Sequence, residues 1–171
     1  GLLGRAIAWH STRGVPYIVG VDPQKATWDA LKALAAALAA EGAFALFHIA
    51  DVTPEASSGQ IVAPSRTDLM VRTLEDHRRD VAGEGRMPLD LVTVGCPHAS
   101  LEEIRAVADL VDGQRLTTPL WVTTARDVAV RAAQEGLDER LREAGALLVR
   151  DTCAVVAPLE AMDITSVATN S

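Results

Sequence analysis

The chain has 171 residues, 49% of them apolar, which is enough for the core of one domain. A net charge of −7 and a pI near 5.0 argue against nucleic acid or an anionic membrane as the main partner, and the basic residues form no stripe: Arg78–Arg79 is their only adjacent pair. No apolar run reaches the roughly 18–20 residues of a membrane span, no signal-peptide pattern is visible, and two distant cysteines make no disulfide framework, so a reducing, cytoplasmic setting is expected.

The first strand expected is Val15–Val21. A helix follows over Thr27–Ala40, with Trp28, Leu31, Leu34, Ala35 and Leu38 on one stripe and small alanines that let it lie close to a sheet. The second strand, Ala43–Ile49, ends beside His48 and leads into the polar loop Asp51-Val52-Thr53-Pro54-Glu55-Ala56. Ser65 with Asp68 opens a helix expected through Arg79, and Val81–Gly85 reads as a loop. Leu89–Val94 is the third strand, followed by Gly95-Cys96-Pro97-His98-Ala99 and a helix opened by the capping-box pattern Ser100-Leu101-Glu102-Glu103. Then come strand Pro119–Thr123, a helix opened by Thr124 and Asp127 and running to Gly136, a short helix Leu137–Glu143, and strands Ala146–Arg150 and Ile164–Ala168.

Strands alternating with helices at these spacings imply an α/β fold: a three-layer arrangement with one mostly parallel sheet flanked by helices, in a single domain over residues 1–171. Ligands of such sheets bind beyond the carboxyl ends of the strands. That rim reads His48–Ala56, Gly95–Ser100, Thr123-Thr124, Asp151-Thr152-Cys153 and Thr169-Asn170-Ser171, and it collects both cysteines and two of the four histidines.

Cys96 stands just before a helix N-terminus, where unpaired N–H groups and the dipole favour the thiolate, the form that binds metal. Gly95 permits a tight turn and Pro97 stiffens the loop. The plain alternative is a buried, inert thiol, the usual fate of a lone cysteine. Cys153 alone also reads as a core residue, and the case for a site is the pair, because two strand ends of one sheet can converge on a shared ligand. A Cys96–His98 nucleophilic pair is poorly served by two-apart spacing. A Cys₂His₂ zinc shell lacks the paired-knuckle spacing of structural zinc sites. His48 at the end of an apolar strand is equally readable as a satisfied core histidine, and His10 and His77 read as surface residues. The chain opens on Gly1 without methionine and closes on Thr169-Asn170-Ser171 directly after an apolar stretch, so a longer polypeptide is expected.

The segment from Asp90 to Ile104, with Gly95-Cys96-Pro97-His98 at its centre, resembles the corresponding segment of the aconitase X family. So do His48 with Thr53-Pro54-Glu55-Ala56, then Leu120-Trp121-Val122, Ala144-Gly145-Ala146, Asp151-Thr152-Cys153 and the closing Thr169-Asn170-Ser171, in the same order over the whole chain. The resemblance implies an aconitase-like domain of a hydro-lyase that removes water from a small hydroxy acid. It implies an iron–sulfur cluster held by three cysteines, two of them Cys96 and Cys153 and the third outside this chain. It also implies a swivelling small domain or subunit and the remaining half of the catalytic domain as partners, so the fragment is expected to be inactive alone.

The roles expected on that basis are that His98 and His48 orient or protonate the leaving hydroxyl, Glu55 lies near the substrate, and Thr53, Asn170 and Ser171 bind it. The family's activities include dehydration of cis-3-hydroxy-L-proline and of phosphomevalonate. Arginine is preferred so strongly that only Lys25 and Lys32 are lysines, which tilts the expectation towards the hydroxyproline. A zinc-binding domain and a non-catalytic α/β scaffold are the readings of a different class.

Overall fold

The computed structural model describes residues 1–10, 13–58, 61–62, 66–71, 73–75, 78 and 88–170. Of the expected Ser65–Arg79 helix, residues 66–71, 73 and 74 are described and are not helical, so no helix opens at Asp68; the Val81–Gly85 loop, His77 and Ser171 lie outside the described residues. The α/β class with parallel sheets flanked by helices holds, but the strands do not join one sheet. The chain divides into two compact units, Gly1–Glu84 and Gly85–Ser171, each with its own parallel sheet. Two separate cores replace the single core expected: Ala8, Leu34, Leu38, Phe44 and Ile49 in the first unit, and Ile104, Ala108, Val122, Ala132 and Leu141 among others in the second. No described helix is long and apolar enough to cross a membrane.

In the first unit, helix α1 (Leu2–His10) and helix α2 (Trp28–Gly42) pack together, and the two-residue strands β1 (Tyr17–Ile18) and β2 (His48–Ile49) pair in parallel. Helix α1 is absent from the sequence reading, because nine residues with an internal glycine and no acidic first turn carry a weak helix signal. Packing explains the glycine: a Cβ at Gly4 would lie 2.7 Å from the Ala37 Cβ and 3.0 Å from the Leu34 carbonyl oxygen. Thr27 caps α2 by accepting from the Ala30 N–H at 3.2 Å. Trp28, placed by spacing on the buried stripe, is 86% exposed on the first turn. Ala43 adopts a left-handed conformation (φ 52°) that ends α2, and Phe44 buries in the core. The second strand is therefore only His48–Ile49, not Ala43–Ile49.

In the second unit, strands β3 (Leu91–Val94), β4 (Leu120–Thr124), β5 (Ala146–Arg150) and β6 (Val167–Thr169) lie in the order β5-β4-β3-β6, all parallel. Helices α3 (Leu101–Val111), α4 (Arg126–Gln134) and α5 (Leu137–Ala144) share one core with Val92, Val94, Leu120, Val122, Ala146 and Leu148, which alternate along β3, β4 and β5. Between the last two, Leu147 points away from that core and is 54% exposed. The Ser100 capping box forms as read: Ser100 accepts from the Glu103 N–H, and the Glu103 carboxylate accepts from the Ser100 N–H. Thr124 does not open α4 as expected; Ala125 stands at the cap and no side chain there bonds the helix.

Asp90 fixes the first turn of the β6 segment against β3. One carboxylate oxygen accepts from the Thr165 N–H at 2.9 Å, the Thr165 hydroxyl at 3.0 Å and the Ser166 N–H at 2.9 Å. The Thr165 and Ser166 backbone N–H groups, then the Thr165 hydroxyl, hold this carboxyl below its ordinary range. A depressed folded-state value adds stability above the unfolded value, near about 3.9 for Asp, and loses it as pH falls through the folded value. Asp90→Asn is therefore expected to lower the melting temperature at neutral pH, with the gap to wild type closing as pH drops below about 4. Melting curves across that range check it; a gap that stays constant with pH removes the ionised carboxylate from the account.

Candidate functional site

The carboxyl end of the second unit's sheet carries four loop starts in spatial order: Cys153 after β5, Thr124 at the end of β4, Cys96 and His98 after β3, and Asn170 after β6. Both cysteines thus follow strands of one sheet, separated by β4. Cys96 is exposed, Cys153 is half-buried, and both thiols are free of disulfides.

The Cys96 loop is held by the end of β4. Gly95 takes φ 101°, and a Cβ there would overlap the Thr123 carbonyl oxygen and come within 2.8 Å of the Thr123 hydroxyl. That hydroxyl donates to the Gly95 carbonyl at 2.6 Å, and the Thr123 carbonyl accepts from the Ala99 N–H at 2.8 Å. Thr124, fully buried, spends its hydroxyl on the Ala99 carbonyl at 2.6 Å, which is why it is unavailable to cap α4.

The Cys153 loop is held from the other side. Asp151 takes a left-handed φ of 56°, its N–H donates to the Thr124 carbonyl at 3.0 Å, and its carboxylate accepts from the Arg126 N–H at 2.9 Å and the Arg126 Nε at 2.7 Å. The missing side-chain cap of α4 is thus supplied from the neighbouring strand. The Arg126 side chain, with a smaller contribution from the His98 charge, holds the Asp151 carboxyl below its ordinary range. After Cys153 the chain turns sharply, its carbonyl accepting from the N–H groups of Val156 and Ala157 at 3.2 and 3.0 Å. His98 joins the loops, its Nε2 lying 3.1 Å from the Thr152 carbonyl oxygen.

The first unit carries His48, Thr53 and Glu55. The His48 side chain is 12% exposed, and its Nδ1 is buried with no hydrogen-bond partner, 4.0 Å from the Glu55 carboxylate. The Thr53 hydroxyl accepts from the Ile49 N–H at 3.0 Å and donates to the Ile49 carbonyl at 3.2 Å, closing the turn after β2. Asn170 is exposed one strand away from Cys96, and Ser171 lies outside the described residues. Among the described residues no group of three His, Cys, Asp or Glu could hold a metal ion. Arg126 and the structural roles of Thr123 and Asp151 are missing from the sequence reading; the threonine pair at a strand end was the one local signal available.

Residues 1–81 match the family model described as aconitase X second domain, and residues 89–171 the one described as aconitase X third domain, close to the two compact units. A phosphomevalonate dehydratase large subunit from Methanocaldococcus jannaschii is 32% identical over 100% of this chain and 43% of its own length. A cis-3-hydroxy-L-proline dehydratase from Pseudomonas aeruginosa is 37% identical over 81% of this chain and 25% of its own. The crystal structure of Thermococcus kodakaraensis aconitase X in its holo-form superposes with a TM-score of 0.86 at 30% identity, covering 99% of this chain and 44% of that one. The chain therefore spans less than half the length of these relatives.

Gly95→Ala should destabilise the second unit by roughly 3 kcal/mol or more, from a strained φ and a collision with backbone. Denaturant unfolding of the variant checks the figure; a loss below about 1 kcal/mol, the range of ordinary surface changes, would show that the loop can move away from β4.

Proposed function

Because this chain belongs to the aconitase X family, we propose that it is part of a hydro-lyase that dehydrates a small hydroxy acid, with Cys96 and Cys153 as two ligands of an iron–sulfur cluster. The observation that carries the proposal is the placement of both cysteines on loops at the carboxyl end of one parallel sheet, tied to each other through His98 and Thr152. The donor set fits the group: thiolates are the usual ligands of iron–sulfur clusters, and an accessible thiol on each of two loops leaves room for a third from elsewhere. A cluster bound there supplies a Lewis acid for the substrate hydroxyl.

The chain's own residues supply the rest. The buried Nδ1 of His48, unpartnered and facing Glu55, is suited to hold or move a proton, and the two form the proposed proton-handling pair. Exposed Asn170, next to the Cys96 strand, can donate an amide hydrogen bond to a substrate carboxylate, and Ser171 is proposed beside it. The remaining half of the catalytic domain and a small subunit or domain complete the enzyme. The large-subunit name of the Methanocaldococcus relative supports the latter.

The first reading of the substrate is cis-3-hydroxy-L-proline, in line with the arginine-rich composition and the Pseudomonas relative. The second is phosphomevalonate, favoured by the relative that aligns over the whole chain. Anaerobic purification of the complete polypeptide with its small partner should yield coloured protein containing iron and sulfide. Cys96→Ser or Cys153→Ser should lower turnover by more than about 100-fold, beyond the cost of losing an outer hydrogen-bond partner. Assays on both substrates separate the two activities. A colourless protein with turnover unchanged by Cys96→Ser would sink the cluster, and one equivalent of zinc without sulfide would favour a zinc domain.

A further inference from the structure

Strands β3 and β5 are not neighbours; β4 lies between them. At about 4.8 Å per strand spacing, their ends stand roughly 10 Å apart, so the two loops meet only over the end of β4. On one side the Thr123 hydroxyl and carbonyl draw the Gly95–Ala99 loop over β4. On the other, the Thr124 carbonyl holds the Asp151 N–H. Those bonds attach each loop to β4, and the His98 ring reaches from one loop to the other, to the Thr152 carbonyl that directly precedes Cys153.

We infer that His98 is a positioning residue, whose Nε2–H bond to the Thr152 carbonyl sets the spacing of the Cys96 and Cys153 loops. A carbonyl oxygen only accepts, so the proton sits on Nε2 and is engaged within the protein. This differs from the expectation that the same residue orients or protonates the leaving hydroxyl. The inference rests on reading the two loops as one site.

The experiment is hydrogen–deuterium exchange on the complete polypeptide, comparing wild type, His98→Ala and His98→Gln, with pH–rate profiles of the same proteins. Asp151, Val156 and Ala157 report the Cys153 loop, because their N–H groups bond to the Thr124 and Cys153 carbonyls. His98→Ala should speed exchange over residues 151–157 by about tenfold, the scale of one lost hydrogen bond, while the α3 core keeps its protection. His98→Gln, which keeps an N–H donor at similar reach, should restore most of that protection and retain both limbs of the pH–rate profile.

Wild-type exchange in the alanine variant would overturn the inference. So would equal loss in both variants, which would assign the effect to ring packing. So would a glutamine variant that keeps loop protection but loses one limb of the profile, which would make His98 an acid–base group. The exchange readout needs neither iron nor turnover, so failure of the dehydratase reading leaves this test intact.

Discussion

Two adjacent threonines at the end of a central strand hold the site together. Thr123 and Thr124 are almost wholly buried, and a buried hydroxyl without a partner is costly, so each must bond to something nearby. What lies nearby is main chain from the strand on one side: the carbonyls of Gly95 and Ala99. The Thr124 carbonyl meanwhile takes the Asp151 N–H from the strand on the other. A valine at either position would pack about as well but leave an acceptor unpaired. Burial thus turns a packing position into a device that spaces two loops.

The requirement runs outward from there. Close contact with Thr123 demands glycine at 95. Using the Thr124 hydroxyl on Ala99 leaves α4 without its own cap, and Asp151 from the next loop fills that need while bonding Arg126 twice. The Arg126 pair is exposed and contributes little on its own. Its value is geometric, since it anchors the residue two before Cys153 to a helix buried on its inner face by Ala129 and Ala132.

What could be read in advance was what depends on neighbours in sequence. Six strands, the Ser100 capping box and both cysteine loops follow from apolar runs, turn residues and short spacings, although the first two strands shrink to two residues each and the last begins only at Val167. What was not legible depends on distant partners. Helix α1 is explained by the fit of Gly4 against Ala37, thirty-odd residues away. Thr124 has a good capping side chain but a better partner in Ala99. Phe44 looks like a strand residue and serves as a core plug under α2. The division into two units was also hidden, because β1 and β2 carry the same apolar signal as the other strands and differ only in what they pair with. For the site, sequence could nominate Cys96, Cys153 and His98 but not the bond from the imidazole to Thr152.

The outermost place of β5 has a consequence for anyone who isolates the second unit. Among the described residues strand Ala146–Arg150 pairs with β4 along one side only, and Leu147 is half exposed beside it. Carried into solution alone, that side presents unpaired N–H and C=O groups together with apolar surface, the combination that recruits another strand. Arg150 is the single charge on the strand to oppose such association. Adding a lysine in place of Leu147 is a direct way to keep an isolated unit monomeric.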